Sequence, residues 1–111
     1  MLVSISSPFG SRSRTRILLA LRLLAESYPS ELARILGTRL FAVQKALLSL
    51  ERDGLVAGRT RGRTRLFRLN PAYFAFRELQ PLLLRLASAD RDLVEGVGAI
   101  RRRPRRTGKP L

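Results

Sequence analysis

Residues 30–54 constrain this chain more than any other stretch. They hold two apolar runs with helical spacing, separated by a glycine. In the first, Leu32, Ala33, Ile35 and Leu36 fall on one helical face. In the second, Val43, Ala46, Leu47 and Leu50 recur at i, i+3, i+4, i+7. Gly37 can take the left-handed backbone that stops a helix and turns the chain, and Asp53-Gly54 ends the second run the same way. The pattern predicts a short helix, a tight turn and a longer helix crossing the first. Ala33 falls at the expected crossing, where a larger side chain would push the helices apart. An ordinary helical hairpin and a binding unit both fit these residues, and the rest of the chain bears on the choice.

The 111 residues are enough for one domain with a modest core, and 45% of them are apolar. No apolar run approaches the ~20 residues of a membrane span. Met1 to Ser7 lacks the long hydrophobic stretch of a secretory signal. Cysteine and histidine are both absent, which removes disulfides, thiol chemistry, the commonest metal ligand and the commonest general base. The 8 carboxylates are scattered, so the expectation is a protein that is no enzyme and has neither cofactor nor metal. Net charge points elsewhere: +14, from 22 basic and 8 acidic residues, a balance that seeks polyanions. Arginine heavily outnumbers lysine. GC-rich coding would give the same preference, so the sign of the charge carries the argument.

In chain order, residues 1–11 read as an arm broken by Pro8 and Gly10. A helix follows from about Arg12 to Ser27, capped by Ser11 or Ser13. Ile17, Leu18, Leu21 and Leu24 form one stripe, and Leu19 and Leu23 add a second. Two apolar faces predict burial on two sides, either against a partner chain, which we expect, or by wrapping within the protomer. Ser30 is the expected cap of the next helix. After Gly54, residues 55–60 and 63–69 read as two strands joined at Arg61-Gly62, a β-hairpin. Arg59, Arg61, Arg63 and Arg65 cluster at its tip with no acid among them. Four like charges repel each other, which points to an anionic partner. Helical pattern resumes near Ala72 and runs to about Ala89, with Pro81 predicted to kink or split it. A short last helix is expected over residues 90–100, weakened by Gly96 and Gly98. Residues 101–111 form a basic tail, disordered when free.

The order helix, helix-turn-helix, basic hairpin, helix resembles the winged helix-turn-helix transcription regulators, and within them the ArsR-like group. Four segments carry the resemblance: Glu31-Leu-Ala-Arg-Ile-Leu-Gly37, Ala42-Val-Gln-Lys-Ala-Leu47, Leu50-Glu-Arg-Asp-Gly-Leu-Val56 and Gly62-Arg-Thr-Arg-Leu-Phe-Arg-Leu-Asn70. It covers roughly residues 12–88, so residues 12–89 are taken as one domain. Metal-sensing members carry cysteines that this chain lacks, so metal sensing does not come with the resemblance.

The resemblance implies a mainly α chain with a β-hairpin, an α+β winged helix-turn-helix. It implies a cytoplasmic, nucleoid-associated homodimer that binds double-stranded DNA and no membrane. Its first and last helices would pair through Leu19, Leu23, Leu79, Leu82, Leu83 and Leu86. The long helix would enter the major groove with Arg39, Leu40, Phe41, Gln44 and Lys45 at its start. Gln44 would suit an adenine edge, and Lys45 a guanine edge or phosphate. Leu40 and Phe41 stand where the family usually has polar residues; they would meet thymine methyls or sugars, or turn inward. Ser30 would offer a helix start to a phosphate, and the hairpin arginines would hold backbone or minor groove. A nonspecific chromosome-associated protein and a winged-helix protein-interaction module remain as alternatives.

Overall fold

The computed structural model describes residues 8–102. Ser11 opens the first helix, its hydroxyl accepting the Arg14 N–H at 3.1 Å, and α1 runs Arg12–Leu24. Then come β1 (Glu26–Ser27), α2 (Pro29–Leu36), α3 (Leu40–Arg52), β2 (Val56–Arg61), β3 (Thr64–Leu69), α4 (Phe76–Ser88) and α5 (Arg91–Arg102). The strands form one antiparallel sheet in the order β1-β3-β2. This is the expected α+β architecture, the winged helix-turn-helix. The arm expected at residues 1–11 and the tail at 101–111 lie mostly outside the described residues.

The turn between α2 and α3 is built as the sequence predicts. Gly37 sits at φ 63°, and the Thr38 N–H reaches back to the Ala33 carbonyl at 3.1 Å. Gly54 at φ 82° closes α3, while Leu55 donates to the Leu50 carbonyl. The inner face of the pair, Leu32, Val43, Leu47 and Leu50, is fully buried.

Helix α1 is the centre of the core. Ile17 to Leu21 are buried without a break, because α3, α4, α5 and β3 all pack around it. Its two apolar faces are therefore used within the protomer. This corrects the assignment of Leu19, Leu79 and Leu83 to a dimer interface: Leu19 and Leu83 are fully enclosed, and Leu79 is nearly so. Burying such side chains stabilises the fold by about 1.5–3 kcal/mol each, so they are not free to face a second chain. Of the six leucines, Leu82 is exposed, and Leu23 and Leu86 are half-buried.

Several element boundaries differ from the sequence expectation for physical reasons. The first helix stops at Leu24 because Ala25 turns at φ 75° and sends Glu26 and Ser27 alongside Arg68 and Phe67 of β3. Tyr28, not Ser30, stands at the N-cap position of α2, with no side-chain capping bond, and Pro29 occupies the first turn. Helix α4 begins later than expected because the Asn70 side chain holds the Ala72 N–H in a turn at 2.9 Å. Pro81 lies within one continuous helix, at an exposed position where water can satisfy the carbonyl it leaves open. Glycine does not end α5 early. A side chain at Gly96 would come within 3.2 Å of the Ile35 carbonyl, so glycine lets α5 lie close against α2. Asp90 starts α5 by accepting the Leu93 N–H, and it also pairs with Arg16 of α1 at 3.0 Å. The last turn is tied to α1 by the Arg101 guanidinium, which donates to the Leu23 carbonyl.

Candidate nucleic-acid interface

An open groove of about 850 Å³ lies between the start of α2, the outer face of α3 and the hairpin. Ser30, Leu40, Phe41, Gln44, Lys45, Arg63 and Arg65 all line it. These residues come from three separate elements, and the fold brings them to one surface. Leu47 and Phe67 reach it from the core side, and Tyr28 and Pro29 form one end. Arg39, the residue before α3, is exposed beside the helix start but does not line the groove.

The outer face of α3 is apolar. Phe41 is 73% exposed, Leu48 58% and Leu40 43%. Neither Leu40 nor Phe41 has turned inward. Leu48 was missed at the sequence level, although its spacing from Leu40 and Gln44, at i, i+4, i+8, was there to be read. Gln44 and Lys45 are the exposed hydrogen-bonding groups of the first two turns.

The hairpin arginines do not form a single cluster. The turn is Gly62-Arg63, one residue later than expected, with Gly62 at φ 63° as a two-residue hairpin loop requires. Arg59 pairs across the ladder with Leu66, and Arg61 with Thr64, so these two arginines share the face away from Phe67. Arg61 lines a different recess, with Glu26, Glu31 and Thr64. Arg65 lies on the α3 side, its guanidinium 4.9 Å above the Phe67 ring.

Two of the four are also ion-paired. Arg65 meets Glu51 of α3 at 3.0 Å, and Arg59 meets Glu26 of β1 at 3.2 Å. Neither acid is near its arginine in sequence, which is why the hairpin reads as unopposed charge. Arg61 and Arg63 have no ion pair among the described residues. Below the site, Arg14 fixes the far end of α3 to α1, donating to the Ser49 hydroxyl at 2.6 Å and meeting Asp53 at 2.8 Å. The helix is held from behind while its outer face is left open.

Among the described residues, no group of three or more Asp, Glu, His or Cys is placed to hold a metal ion. No described helix is long and apolar enough to cross a membrane.

The fold and the groove define a winged-helix domain. Among solved structures, the chain is similar to the crystal structure of the adhesin competence repressor AdcR from Streptococcus pyogenes, with a TM-score of 0.52 and 22% identity. The match covers 78% of this chain and 61% of AdcR, so the chain spans under two thirds of that protein's length. The likeness is one of fold and does not single out the ArsR-like group. No family model and no curated protein matches the chain.

Proposed function

We propose that this protein is a sequence-specific transcription regulator that binds double-stranded DNA as a homodimer. One observation carries the reading: Ser30, Leu40, Phe41, Gln44, Lys45 and Arg63, from α2, α3 and the hairpin, line one open groove on a strongly basic chain. The fold likeness to a repressor supports it. Helix α3 enters the major groove, where Gln44 reads an adenine edge and Lys45 a guanine edge or phosphate. Ser30, in the first turn of α2, meets a phosphate, with Arg39 beside it. Arg61 and Arg63 of the hairpin lie along backbone or minor groove, and the basic tail beyond α5 adds phosphate contacts. Exposed Leu82, with Leu23 and Leu86, supplies the dimer contact, which sets half-sites about 10 base pairs apart.

A second reading, nonspecific nucleic-acid binding, is favoured by the sparse hydrogen-bonding set on α3. Selection from random-sequence duplexes separates the two. An enriched palindrome is expected; retention without enrichment would move the assignment to the second reading. If about 8 phosphates are neutralised, log K should fall with log salt at a slope near −7. A slope shallower than about −2 would overturn both.

A further inference from the structure

We infer that the outer face of α3 recognises the C5-methyl group of pyrimidines in the major groove, so that methyl-bearing base pairs are its preferred ligand. The inference rests on α3 being the major-groove helix. Leu40, Gln44 and Leu48 form one row along the helix, with Phe41 and Lys45 beside it. The other large apolar side chains of α3 are buried, whereas Leu40, Phe41 and Leu48 remain 43–73% exposed. Exposed apolar area costs about 25 cal/mol per Å² relative to burial, so these three call for an apolar counterpart.

Charge narrows what that counterpart is. Lys45 and Arg63 line the same groove as the apolar row, and Arg39 stands at the helix start. An uncharged apolar partner would strip water from these cations and give them nothing in return. A duplex offers both halves: phosphates along the groove edges, and on the base edges a single apolar feature, the pyrimidine methyl. Gln44 sharpens the match. It lies between Leu40 and Leu48, and the base pair whose adenine suits a glutamine is the one whose thymine carries the methyl. The same methyl is present on 5-methylcytosine, which lacks the adenine.

The test uses random-sequence duplex pools differing only in base methylation, measured by fluorescence anisotropy at one salt concentration. One comparison is thymine against deoxyuridine; the other is cytosine against 5-methylcytosine. Phosphates and hydrogen-bonding groups are unchanged in each comparison. The unaltered protein should bind the deoxyuridine pool about fourfold more weakly per contacted methyl, which is the factor corresponding to roughly 0.8 kcal/mol. The Leu40→Ala, Phe41→Ala double variant should bring that ratio close to one. Tighter binding to the 5-methylcytosine pool would support the inference through the methyl alone. No gain there, alongside a loss on deoxyuridine, would support it with thymine as the source. Equal affinity of the unaltered protein for the thymine and deoxyuridine pools overturns the inference and leaves duplex binding standing, with the apolar row assigned to a protein partner. Binding to neither pool overturns the duplex reading and the inference with it. The unaltered protein decides the question even if the double variant does not fold.

Discussion

Arg59 and Arg65 stand one step back from the hairpin turn, and each is engaged by a carboxylate from another element: Glu26 from β1 and Glu51 from α3. Arg61 and Arg63 stand at the turn itself, exposed, with no ion pair among the described residues. The four are chemically identical and close in sequence, so the difference lies entirely in what the fold places beside them. An exposed ion pair of this kind is worth about 0–1 kcal/mol, too little to hold the fold together. The Arg65–Glu51 pair links the hairpin to α3, and the Arg59–Glu26 pair links it to β1. Arg65 also stacks on Phe67. The inner pair is tied to neighbouring elements, while the outer pair has no ion pair among the described residues and is open to an anionic partner.

The largest expected effect comes from removing the outer pair. Arg61→Ala with Arg63→Ala should weaken binding to every duplex alike by about tenfold or more. It should also make the salt slope shallower by about 2. Arg59→Ala with Arg65→Ala removes the same formal charge and should cost only about threefold, because those guanidinium groups already face carboxylates. Anisotropy titrations of both variants across a salt series decide it; equal losses and equal slopes would erase the distinction. Glu51→Gln probes the division from the other side. Freed from its partner, Arg65 should join the binding set and tighten duplex affinity by about threefold, while thermal unfolding records a loss below about 1 kcal/mol. Weaker binding in this variant would show that Arg65 works only when held.

The inner surfaces of the domain were legible because they obey local rules. Gly37 and Gly54 mark turns, and Leu32, Val43, Leu47 and Leu50 repeat with the helical period. Most of the groove was legible too, since Ser30, Gln44, Lys45 and Arg63 belong to elements whose order is readable. What could not be read depends on long-range encounters. Glu51 meets Arg65 across 14 residues and Glu26 meets Arg59 across 33, and no local pattern encodes either. The two-residue strand β1 exists only because β3 lies beside it. The dimer assignment of Leu19 and Leu83 failed for a related reason: a helix apolar on two sides has the same sequence signature whether its second cover is another chain or its own α4 and α5.

The smallest expected effect on binding comes from Gly58, and it tests whether the inner pair is structural. A Cβ there would lie 2.8 Å from Cε2 of Phe67 and 2.9 Å from Cζ of Arg65. The arginine is the far end of a flexible side chain and can swing away at little cost. The Phe67 ring is 4% exposed and can move only by disturbing its neighbours. Gly58→Ala should therefore lose stability, by about 1–3 kcal/mol for the overpacking. A gain of about 0.5–1 kcal/mol from stiffening the strand offsets part of this. The net should appear as a drop of several degrees in Tm. Duplex affinity, measured well below that Tm, should stay within about twofold, since Arg61 and Arg63 are untouched and Arg65 is displaced rather than removed. A variant that keeps its Tm but loses affinity tenfold would mean that the stacked Arg65 contacts the partner directly, and the hairpin would then carry three binding arginines.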